Sequence, residues 1–77
     1  MQNEQNITPA DFGKLVYNAL ERGDWIYCAS NEVQEEIRDG KCSLLLDYFA
    51  HIEEGKASVE EATQWYTSDF QDAYDYR

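Results

Sequence analysis

SVEEATQWYTSDFQDAYDY, residues Ser58 to Tyr76, sets the fold class of this chain. It opens on a Ser-x-x-Glu capping box, Ser58 to Glu61, in which each side chain accepts a hydrogen bond from the other residue's backbone N–H at a helix start. Val59, Ala62, Tyr66, Phe70, Ala73 and Tyr74 then fall at helical spacing and keep one side apolar for about four turns. A long amphipathic last helix is expected.

Upstream, Lys41 to Glu54 puts Cys42, Leu45, Tyr48, Phe49 and Ile52 on one face, with Leu44 at its edge and Leu46 and Ala50 on the far side. So wide an apolar surface suits a central helix. Asp24 to Asp39 is ambiguous. Trp25, Ile26, Tyr27 and Cys28 have strand-like propensity, yet Ile26, Ala29, Val33 and Ile37 share a helical face within about 80°. The longer pattern favours one continuous helix capped by Asp24, the alternative being a strand or loop followed by a cap at Ser30 or Asn31. The first helix has Thr8 as cap, Pro9 at its first position and Asp11 in the first turn, with Ile7 and Phe12 stapling the start. Its stripe is Phe12, Leu15, Val16, Ala19 and Leu20, opposite Lys14, Asn18 and Glu21.

Gly23, Gly40 and Gly55 each close a helical stretch, where glycine favours the left-handed C-terminal cap. The expectation is an all-α, small single-domain, four-helix fold, orthogonal or bundle-like, with short Gly-capped connections. Residues 1–7 are expected to form a flexible N-terminal segment and 8–77 the helical domain. At 77 residues the chain is too short for two independent cores.

Composition narrows the partners. Sixteen Asp and Glu against six Lys and Arg leave a formal charge of -10, which disfavours direct binding to nucleic acid or to an anionic membrane. The 43% hydrophobic and 14% aromatic content argues for a folded globule rather than an acidic tail. The longest apolar run, Leu44 to Leu46, falls far short of the roughly 18 residues of a membrane span, and Met1 to Asn6 lacks the marks of a secretory signal. A cytoplasmic protein is expected, with Cys28 and Cys42 reduced and mostly buried.

The chain is not expected to be an enzyme or to carry a cofactor or metal. It has a single histidine, His51, about half a helical circumference from Cys42 if both share a helix. Cys28 reaches His51 only through a tertiary contact. Asp69, Asp72 and Asp75 repeat every third residue, unlike the alternating ligands of a calcium loop. No Gly-rich phosphate loop, GxSxG or CxxC is present.

The outward face of the last helix is the candidate partner-binding site. Glu61, Asp69, Asp72 and Asp75 project opposite the apolar stripe, with Trp65 and Tyr76 on the same acidic side. An ordinary solvated face explains acids, but Asp72 and Asp75 sit near the helix C-terminus, where the macrodipole disfavours each by about 0.3–1 kcal/mol. Aspartate is also a poorer helix former than glutamate, and exposed Trp and Tyr beside carboxylates have the composition of an interface anchor. Glu32, Glu35, Glu36 and Asp39 extend the acidic surface if they adjoin it, as do Asp47, Glu53 and Glu54. The charge is uneven: eight acids face four bases up to Lys41, and eight face one from Cys42 to Tyr76, before Arg77.

The expected partner is therefore a basic, Lys/Arg-rich protein surface, such as a nucleic-acid-binding site on a host defence or DNA-processing complex, with the chain acting as inhibitor or modulator. In charge and size it resembles the small acidic DNA-mimic proteins of phages and mobile elements, antirestriction and anti-CRISPR proteins among them. That resemblance is compositional and carries over no residue. The alternative is a non-catalytic helical adaptor or homodimer joined through Trp25, Tyr27, Trp65 and Tyr76, its acids serving solubility.

Overall fold

A computed structural model describes residues 7–75, the side chain of Asp75 excepted. It is all-α: α1 (Pro9–Arg22), a 3₁₀ turn (Trp25–Cys28), α2 (Asn31–Asp39), α3 (Ser43–Glu53) and α4 (Val59–Asp75). The flexible segment expected at residues 1–7 lies outside the described residues except for Ile7, which packs half-buried against the core. No helix of the described residues is long and apolar enough to cross a membrane.

Helix starts follow local chemistry. At α1 the Asp11 N–H donates to Thr8 Oγ1 at 3.1 Å and the Thr8 N–H donates to Asp11 Oδ2 at 3.2 Å, a complete capping box. The Ser58–Glu61 box of α4 is equally complete, at 3.0 and 3.1 Å. α3 starts two residues later than the apolar pattern suggests, at Ser43, with Cys42 as a cap that makes no side-chain bond.

The continuous helix expected from Asp24 to Asp39 is not formed. Asp24 turns left-handed at φ 65°, the 3₁₀ turn follows, and Ala29 and Ser30 are extended. Ser30 then caps α2 by accepting from the Val33 N–H at 3.3 Å, and Gln34 Nε2 donates to the Ala29 carbonyl at 2.9 Å. Ser30 thus offers the backbone a cap where a continuous helix would leave its hydroxyl without this role. Ile26, Ala29 and Ile37 are buried all the same: the apolar spacing marked the core correctly although the backbone between its members is broken. Gly23 is not the expected left-handed cap, having φ -102°; Asp24 takes that conformation. Gly40 and Gly55 are left-handed as expected, each beneath paired carbonyl bonds of the Schellman type.

The core comprises Phe12, Val16 and Leu20 of α1, Ile26, Ala29, Ile37, Leu45, Phe49, Ile52 and Ala57 upstream of α4, and Ala62, Tyr66 and Phe70 of α4. Helix α1 packs against α2, α3, α4 and the 3₁₀ turn, making it the hub. Leu15 and Ala73, both expected on apolar stripes, are exposed, and so is Cys28. Leu15 lies at the margin of the buried arc of α1, whereas Ala73 is aligned with Ala62 and Tyr66 but sits in the last turn of α4.

The α1–α2 contact is backbone against backbone. A Cβ on Gly13 would collide with the Ile37 carbonyl oxygen and lie 2.9 Å from the Gly40 nitrogen; one on Gly40 would collide with the Pro9 carbonyl. Gly13→Ala is therefore expected to lower stability by about 2 kcal/mol, although alanine is the better helix former by about 1 kcal/mol. Gly55→Ala, with open space around its Cβ, should cost only the left-handed backbone penalty of about 1 kcal/mol. Asp24→Gly should raise stability by up to about 1 kcal/mol. Urea denaturation midpoints of the three variants check this ordering.

Candidate functional site

α4 is positioned by Tyr66 and Phe70, which bury one side and so turn Glu61, Trp65, Asp69 and Asp72 outward; all four are exposed. Successive members along the line Glu61, Trp65, Asp69 are one turn, or about 6 Å, apart. Trp65 is 44% exposed. It does not stand alone, because the ring of Tyr48 on α3 lies 6.3 Å away at an interplanar angle of 52°. It is thus both an edge contact with α3 and an accessible aromatic surface.

Tyr48 is the site residue that the sequence did not disclose. Half-buried between α3 and α4, it neighbours the rings of Trp65, Tyr66 and His51 at 6.0–6.3 Å. Its hydroxyl donates to Asp69 Oδ2. That bond, together with burial and the charges of Asp69 and Asp47, raises the Tyr48 pKa above the ordinary tyrosine value. Asp69 is consequently an anchored carboxylate, with one oxygen engaged and the other available. The signal in the sequence was only Tyr48's place on the apolar arc of α3; its distance of 21 residues from Asp69 hid the pairing.

The other expected members are less organised. Glu61 spends one carboxylate oxygen on the cap of its own helix. Asp72 is exposed and makes no hydrogen bond or ion pair among the described residues. The Asp75 side chain and Tyr76 lie outside the described residues. Glu32, Glu35, Glu36 and Asp39 are all exposed on α2, which reaches α4 through their common neighbour α1. Glu36 is near enough for its charge to add to the upward shift of Tyr66.

No basic residue of the described chain neutralises this face. Lys56 pairs with Glu54 at 3.2 Å, an exposed pair of little energetic weight, and Arg38 sits 5.9 Å over the ring of Tyr17. Among the described residues no three His, Cys, Asp or Glu side chains gather as metal ligands. Cys28 and Cys42 are both free thiols; Cys42 Sγ lies 3.2 Å from the Tyr66 hydroxyl, a core hydrogen bond. An open groove between α1 and α4, lined by Leu15, Ala19, Arg22, Val59, Glu60 and Thr63 among others, lies elsewhere on α4.

Burial, with the Cys42 bond, also raises the Tyr66 pKa. Both tyrosines hold their protons more tightly in the folded state than in the unfolded chain, where they ionise near about pH 10. Their contribution to stability is present below that pH and is lost as the pH rises above it. The urea midpoint should fall from about pH 9 to pH 11, and Tyr66→Phe should flatten the fall.

No protein-family model, curated protein or solved structure matches this chain.

Proposed function

We propose that the chain docks the outward face of α4 into a Lys/Arg-lined site on another protein, occupying a surface that otherwise takes nucleic acid. It thereby acts as an inhibitor or modulator of a DNA-processing or host defence complex. The observation that carries this reading is Asp69, held by the Tyr48 hydroxyl beside exposed Trp65. An inert solvated face has no need of an acid fixed by a half-buried tyrosine next to an open indole. The acids of α4 also have no cation of the described chain to satisfy them, so a basic partner completes their electrostatics.

Magnitudes define how much of the surface takes part. α4, of 17 residues, spans about 26 Å, along which duplex DNA carries about 15 charges. Glu60, Glu61, Asp69, Asp72 and Asp75 amount to a third of that. A DNA-like field therefore draws on exposed Asp47, Glu53 and Glu54 of the α3 region and on the α2 acids. The net charge of -10 supplies long-range steering towards a basic partner.

Binding of this kind weakens steeply as salt rises, whereas an apolar adaptor or homodimer contact tolerates salt. Proteins retained from a host lysate on the immobilised chain are expected to elute between about 50 and 200 mM salt and to be displaced by added duplex DNA. Replacing Asp69, Asp72 and Asp75 together with Asn should weaken capture about tenfold, with helicity by circular dichroism equal or slightly higher. Retention that ignores both salt and DNA, or capture unchanged in the triple variant, would contradict the proposal.

A further inference from the structure

Resting on that docking reading, we infer that Trp65, Tyr48 and Asp69 form a seat for one arginine side chain of the partner, in preference to lysine. The three groups present the two surfaces that a guanidinium uses. Trp65 offers a partly open indole, the ring on which a cation is held best. Tyr48 borders it, the ring centroids 6.3 Å apart and the planes tilted by 52°. Asp69 supplies the anion, and the bond from Tyr48 to Oδ2 fixes its carboxylate while leaving Oδ1 to accept from the incoming N–H groups. The Asp47 charge is felt at the Tyr48 hydroxyl and adds to the negative potential there.

A planar guanidinium stacks on a ring and donates in its own plane to a carboxylate at the same time. A lysine ammonium is a compact, strongly hydrated charge that gains from the acids but has no plane to lay against the indole. General acidity attracts both; only the aromatic and anchored-carboxylate combination discriminates. Among the described residues no Lys or Arg pairs with Asp69 or lies over the Trp65 ring; Lys56 is paired with Glu54 and Arg38 lies over Tyr17. That second contact shows the chain already using arginine on an aromatic ring elsewhere on its surface. Tyr48 is the positioning residue, acting on the ligand through Asp69.

The test titrates the ¹⁵N-labelled full chain with nonaarginine and, separately, nonalysine at equal ionic strength, following the indole N–H of Trp65, assigned by its survival in Trp25→Phe. Nonaarginine is expected to bind about tenfold more tightly and to shift the Trp65 resonance. Trp65→Leu and Tyr48→Phe keep the net charge, so each should lower nonaarginine affinity about tenfold, to the level of nonalysine measured on the same variant. Circular dichroism confirms that each variant remains helical. Equal affinity for the two peptides, or a preference that survives Trp65→Leu, overturns the arginine seat while leaving acidic docking standing. If neither peptide binds even at low salt, both the seat and the docking reading fall.

Discussion

Contact between Gly13 in α1 and the C-terminal turn of α2 is the constraint on which the arrangement depends. Side-chain-free backbone meets backbone there, with the Ile37 carbonyl and Gly40 against one helix and Pro9 against the other. So close an approach fixes where α2 lies on α1, and α1 is the element that every other one packs against. Phe12, one residue before Gly13, then turns inward to meet Phe49 of α3 at 6.2 Å between ring centroids. The orientation of α3 places Tyr48 over α4. The site is thus two packing steps removed from a glycine contact, and a small shift in the first helix pair would be felt at Asp69.

The division of labour on α4 follows from its periodicity. Ala62, Tyr66 and Phe70 bury one side, and burial of Tyr66 is made tolerable by a hydroxyl partner in Cys42. The opposite side meets α3 through Tyr48, which touches Trp65 and Asp69, and is otherwise exposed. Tyr48 joins the two sides: its ring packs against Tyr66 and its hydroxyl reaches the outward carboxylate. A residue of the core margin thereby organises the surface.

What could be read from the residues in order was what local chemistry controls. Thr8 and Ser58 announced helix starts, Gly40 and Gly55 announced stops, and the apolar spacing of α1, α3 and α4 identified the core. The segment from Asp24 to Ser30 misled because burial and backbone conformation separate there: Ile26, Ala29 and Ile37 share a core without sharing a helix. Asp24 assumed the left-handed turn that Gly23 was positioned to take, a local choice that residue preference alone assigns to the glycine. Gly13 passed as an ordinary helix residue because its meaning lies in Ile37 and Gly40, far along the chain. Of the candidate site, Trp65 and Asp69 were legible as an acidic and aromatic face; Tyr48 was not, because its pairing with Asp69 is tertiary.

The central claim is that the face built on Tyr48, Trp65 and Asp69 is where a basic partner binds. Cross-saturation NMR on the labelled chain, bound to a basic nucleic-acid-binding protein that it captures, locates the contact residue by residue. The account predicts saturation transferred to Tyr48, Trp65, Asp69 and Asp72. Transfer confined instead to Leu15, Ala19, Val59 and Thr63, in the groove between α1 and α4, would contradict it.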